Sequence, residues 1–218
     1  SKAQFGTRNE RLHEFDEGVL EEYDSLKQDS VANNLIILHL MGQHVMYKAR
    51  YPQKTRKHLR APMYDRPDLT PKQKLIVADY DNAVLYNDSI VAAITQKFID
   101  KDAVVIYMPD HGEEIYNGQP YIYGRMHTAA IDYRLAHEEF EIPFWIWGSP
   151  KYIENHPYGW QAIQAGAFSE STLSQILRFA DIDQVRSYAT PRSTNSLSSV
   201  MDARIFIAIM SSRYVIVP

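Results

Sequence analysis

Ala103-Val104-Val105-Ile106-Tyr107-Met108-Pro109 runs directly into Asp110-His111-Gly112-Glu113-Glu114. An apolar, β-branched run of this kind reads as a buried strand. It stops at a carboxylate, an imidazole and a glycine. In an open α/β sheet, ligands bind in the crevice outside the carboxyl ends of the strands. Aspartate and histidine offer oxygen and nitrogen donors suited to zinc or manganese, and Gly112 lets the chain turn without a side chain crowding the site. Adjacent strand residues point to opposite faces, so Asp110 and His111 reach one ion only if the backbone turns there.

Outward from this strand, the pattern is that of an α/β chain. Upstream, Leu12, Phe15, Val19, Leu20, Tyr23 and Leu26 recur at helical spacing and predict an amphipathic helix over 12–27. A strand over 34–40 ends at His39-Leu40-Met41-Gly42-Gln43-His44. A polar, basic stretch without period follows over 45–70, and its length suggests a functional loop or lid. Thr70-Pro71 then opens a long helix reaching about Ile99, with Leu75, Ile76, Ala83, Val84, Ile90, Val91 and Ile94 on its apolar face. Downstream come a tyrosine-rich loop over 110–133, a third strand over 142–148 and a helix over 171–180. The apolar runs at 205–210 and 214–217 are expected to form an edge hairpin. This order predicts a mostly parallel sheet sandwiched by helices, in a single domain over 1–218 with the ends 1–11 and 189–218 unassigned.

Composition narrows the function. The 218 residues are 45% apolar and 23% charged, with a net charge of −4, which argues against a nucleic-acid partner. The basic cluster Lys48, Arg50, Lys54, Arg56, Lys57, His58 and Arg60 reads as a solvated loop, with contact to anionic head groups or phosphates as the alternative. The absence of cysteine excludes disulfides and thiolate metal sites and leaves the compartment open.

Two strand ends present histidine: His39 and His44 after the first, His111 beside Asp110 after the second. Neighbouring parallel strands would bring these loops together. His39 reads either as a strand-end core histidine or as a site residue, and His44, in a polar context beyond Gly42, is the better candidate. Glu113 is a candidate to orient His111, whereas Glu114 reads as part of an exposed acidic turn. Tyr80, Asp81, Asn82 and Asp88 read as helix-face polar groups or core-edge hydrogen bonds. His13, His58, His137 and His156 read as surface residues.

Taken in order, His39-Leu40-Met41-Gly42-Gln43-His44, Arg50-Tyr51-Pro52, Tyr80-Asp81-Asn82 with Tyr86-Asn87-Asp88, Asp110-His111-Gly112-Glu113 and Ile142-Pro143-Phe144 resemble the bacterial phosphoethanolamine transferases of the alkaline phosphatase/sulfatase superfamily. The resemblance covers roughly residues 12–180. It implies an alkaline phosphatase/sulfatase-like fold and a metal-dependent enzyme of the bacterial inner membrane, with its catalytic domain facing the periplasm. Such enzymes move phosphoethanolamine from phosphatidylethanolamine to a lipid A or glycan acceptor through a threonine nucleophile.

On this chain the resemblance places Asp110 and His111 on Zn2+, with Mn2+ as the alternative ion, and His44 on the phosphoryl group or a second metal. Where the family has a histidine-glycine pair this chain has Tyr123-Gly124, with His127 nearby, so Tyr123, His127 and His39 join His44 as substrate-binding candidates. Only 38 residues precede His39, so the nucleophile and an acidic metal ligand are expected upstream, with this chain as the C-terminal part of the catalytic domain. The membrane segment is likewise expected in a part not present here. The alternatives are a sulfatase or phosphodiesterase-type hydrolase of the same fold, a non-catalytic metal- or phospho-ligand-binding module, and a structural α/β domain.

Overall fold

The computed structural model describes residues 14–25, 34–55, 59–118, 121, 123–125, 133–165 and 205–211. Its centre is a four-stranded sheet in the order β1-β6-β2-β5, formed by β1 (Asn34–Leu40), β2 (Ala103–Pro109), β5 (Trp145–Gly148) and β6 (Ile205–Ser211). β6 pairs in parallel with both β1 and β2, and β5 closes the far edge antiparallel to β2. The expected edge hairpin is therefore corrected. Its first run is the strand between β1 and β2, and 214–217 lies outside the described residues, as do the helix expected over 171–180 and residues 12, 13, 26 and 27 of the first helix. Within the described residues that first helix is α1 (Gly18–Ser25).

Burial of β2 explains its composition. Ala103, Val105 and Tyr107 face one side of the sheet, where they join Leu38 and Leu40 of β1 and the apolar face of α2 (Pro71–Lys97). Val104 and Ile106 face the other, against Tyr152 and Ile153 of α4 (Pro150–Asn155) and Trp160 and Ile163 of α5 (Pro157–Gln164). A strand covered on both faces shows no polar alternation.

α2 begins where its capping signals place it. The Thr70 side chain accepts from the Gln73 amide while the Gln73 side chain accepts from the Thr70 amide, and Pro71 follows at a position whose N–H has no partner in a helix. Leu75, expected on the apolar face, is 42% exposed; Val77 and Ala78 are buried instead. Pro143 lies before the third strand, which starts only at Trp145.

The stretch expected as a lid packs against α2 through its first and third turns. It forms three single 3-10 turns, Tyr47–Ala49, Gln53–Thr55 and Ala61–Met63. Tyr51 is fully buried and donates to Asp79 at 2.6 Å, the Tyr64 hydroxyl donates to Asp81, and Asn82 exchanges hydrogen bonds with both backbone groups of Leu59. Asp81 and Asn82 are thus the core-edge anchors the sequence suggested. Of the basic cluster, Lys48, Lys54 and Arg60 are exposed, while Arg50 is half-buried and turned inward; 56–58 are outside the described residues.

Candidate active site

Leu40 and Pro109 both pair with Ser211, so the loops after β1 and β2 leave the sheet level with each other at its carboxyl edge. They are not strand neighbours as expected. β6 separates them, and two strand spacings amount to about 9.5 Å. Bringing their side chains into one site falls to contacts between the loops.

The loop after β1 is shaped by groups distant in sequence. The buried Asp16 carboxylate accepts from the Met41 and Gly42 amides at 2.9 and 2.8 Å, and Gly42 takes the left-handed φ of 54° that glycine adopts without penalty. Arg50 folds back over the turn: its Nε donates to the His44 carbonyl and its Nη2 to the Val45 carbonyl, each at 2.9 Å, with Nη2 3.5 Å from His44 Nδ1. Met46 is left-handed at φ 70° and 73% exposed, a conformation that costs a non-glycine residue about 1–2 kcal/mol. The reversal turns Tyr47 inward, where it is buried.

The loop after β2 turns at its first residue. Asp110 is exposed and His111 buried, with His111 Nε2 3.7 Å from Asp110 Oδ2. His111 Nδ1 lies 2.8 Å from the Gly112 carbonyl, an acceptor only, which assigns the hydrogen to Nδ1 and leaves the Nε2 lone pair on the Asp110 side. Gly112 is required by close packing. Its amide donates to Glu139 O at 2.8 Å, and a Cβ there would lie 2.1 Å from Glu138 O, in α3 (Tyr133–Phe140).

Glu113 and Glu114 are both fully buried, so the exposed acidic turn is corrected. Glu114 accepts from the Asn117 and Gly118 amides and shapes the turn beyond β3 (Glu114–Ile115), which pairs with β4 (Tyr123–Gly124). Glu113 accepts a hydrogen bond from the Tyr47 hydroxyl, which joins the two loops.

Tyr123 is half exposed and its ring rests on Tyr47 and Tyr116, with centroids 6.3 and 5.7 Å apart. His39 is exposed, on the β1 face it shares with the exposed Leu35 and Ile37 and opposite Leu38 and Leu40, so it is not a core histidine. His127 lies outside the described residues. His156 contacts the buried Asp102 at 3.3 Å beside the amino end of β2, away from the site, and is not the isolated surface residue expected. Tyr47, Arg50 and Asp16 have structural roles that sequence reasoning missed. A tyrosine and an arginine inside a basic loop carry no local sign of what they will meet.

Asp110 and His111 suit a metal. Two donors on one tetrahedral zinc lie about 3.3–3.5 Å apart, close to the 3.7 Å found here. Among the described residues no cluster of three or more histidine, aspartate or glutamate side chains is placed to hold an ion, so Asp110 and His111 alone would make an incomplete ligand set.

The sulfatase family profile matches residues 3–182. The chain belongs to the sulfatase family. Within it, the chain is 35% identical over 152 residues to the phosphoethanolamine transferase EptC of Escherichia coli O18:K1:H7, covering 69% of this chain and 26% of that protein. It is 33% identical over 137 residues to the Kdo(2)-lipid A phosphoethanolamine 7''-transferase of Escherichia coli K12, covering 63% and 23%. The crystal structure of the C-terminal periplasmic domain of EptC from Escherichia coli, in complex with Zn, superposes with a TM-score of 0.58 at 31% identity, over 72% of this chain and 42% of that one. This sulfatase-family chain thus has the alkaline phosphatase/sulfatase fold and spans about a quarter of the length of those curated relatives. No described helix is long and apolar enough to cross a membrane.

Proposed function

We propose that this chain is the C-terminal part, in a single domain, of the catalytic domain of a phosphoethanolamine transferase, with Asp110 and His111 as zinc ligands. The observation that carries the reading is the Asp110–His111 pair, 3.7 Å apart at the carboxyl edge of the sheet, in a chain similar to a domain crystallised with zinc. Zinc bound there would neutralise phosphoryl oxygens and lower the pKa of an attacking hydroxyl.

His111 is oriented for this by its bond to the Gly112 carbonyl, which leaves Nε2 on the Asp110 side, where the two side chains would hold an ion. His44, held by Arg50, is the side chain assigned to the transferred phosphoryl group, and Tyr123 lines the same site. His39 and His127 are kept as candidates of lower rank, one for its outward face and the other because it is outside the described residues. The nucleophile is a threonine of the upstream part. The donor is phosphatidylethanolamine, the acceptor lipid A or another glycan, and the location the periplasmic face of the inner membrane, with the anchor also upstream. The names of the relatives support the transferred group and the lipid A acceptor, and the periplasmic origin of the matched domain supports the compartment.

The test is a zinc titration of this chain against its Asp110→Ala and His111→Ala variants. Each substitution is expected to weaken zinc binding at least about tenfold. Affinity unchanged in both variants would end the assignment of these residues.

A further inference from the structure

The sheet holds β1 and β2 two strand spacings apart through β6, but no strand pairing reaches His44, four residues beyond the end of β1. We infer that the Tyr47–Glu113 hydrogen bond is the latch that sets this separation, making Tyr47 and Glu113 positioning residues for the phosphoryl-binding histidine. The inference rests on the site assignment above.

Tyr47 is three residues beyond His44 and Glu113 two beyond His111, so a bond between them ties the two loops beside their functional side chains. Both residues are buried, and a hydrogen bond in a site of low dielectric is stronger than one in water. The parts around it are packed and hydrogen-bonded. Tyr47 packs edge-on against Tyr80 of α2 at 5.1 Å and against Tyr123 of β4. On the other side, Arg50 ties the His44 and Val45 carbonyls together, so the turn between the latch and His44 moves as one piece.

The backbone supports the same reading. The non-glycine residues with positive φ among those described are Met46 and Tyr116. Met46 immediately precedes the latch tyrosine, and Tyr116 belongs to the aromatic cluster around Tyr47. Strained residues persist where the surroundings over-determine them, typically at sites that require a set geometry. Met46 is exposed and gains little from burial, so what its conformation achieves is the inward turn of Tyr47.

The test reads the imidazole signals of His44 and His111 in long-range 1H–15N spectra of the whole chain, before any ligand is added. Tyr47→Phe removes one hydroxyl and keeps the ring packing. It is expected to shift or broaden the His44 signals while those of His111 hold, with the thermal midpoint close to the original. Glu113→Leu, which cannot accept the bond, should reproduce the His44 change, and Glu113→Gln, whose carbonyl accepts it, should restore the original signals. In the zinc-loaded chain, Tyr47→Phe is expected to weaken phosphoethanolamine binding about tenfold with zinc affinity unchanged. Unaltered His44 signals in either folded variant, Tyr47→Phe or Glu113→Leu, would overturn the latch. If the original chain binds no phosphoethanolamine, the functional assignment fails, and the His44 spectra still decide the latch.

Discussion

Asp81 shows how one residue carries both structure and a pH dependence. Burial raises its carboxyl pKa above the ordinary 3.8, and the hydrogen bond from Tyr64 offsets part of that rise. A carboxyl whose folded pKa lies above its unfolded one binds its proton more tightly in the folded chain. Its ionisation therefore costs stability, a cost absent below 3.8 and fully present above the folded value. Asp81→Asn keeps an oxygen to accept from Tyr64 and removes the charge. Thermal melts should show the variant more stable at pH 7, the gain shrinking as the pH falls toward 3.8; a gain independent of pH would contradict this account. At this scale the sequence was most readable where the pattern is local: Asp110, His111 and Gly112 are consecutive and directly follow the strand they end. Glu114 was misread because an acidic pair in a polar stretch looks solvated, and only the Asn117 and Gly118 amides that fold back on it explain its burial.

The elements divide by how much of their cause is internal. α2 carries its own start signal in Thr70, Pro71 and Gln73, and its apolar spacing follows the helical period through Ile94. Thr70→Ala breaks the capping box and should cost about 1 kcal/mol, read as a fall of roughly 2–4 °C in the thermal midpoint. β2 was readable for a related reason, since burial on both faces leaves an unmistakable apolar run. The stretch over 45–70 was not, because its order comes from partners on α2. Tyr51 finds Asp79, Tyr64 finds Asp81 and Leu59 finds Asn82, and no periodicity records such pairings.

Across the whole molecule the decisive element is β6. It bonds to β1 on one side and β2 on the other over seven residues each, so the two halves of the site are joined through a strand more than ninety residues downstream of β2. A chain ended at residue 204 should lose its cooperative thermal transition and bind a hydrophobic dye. A sharp, unshifted melt would show that β1 and β2 hold without it.

By itself the sequence determined the elements whose cause lies within a few residues: the buried strand, the capped helix, and the Asp-His-Gly turn that ends β2. It also carried, in ordered short motifs, the family to which the chain belongs. Only the tertiary structure decided that a strand from the tail stands between β1 and β2, that the basic loop packs against α2, and that Tyr47 meets Glu113 across the site. Those outcomes depend on contacts between residues far apart in the chain, and such contacts leave no mark on local composition or period.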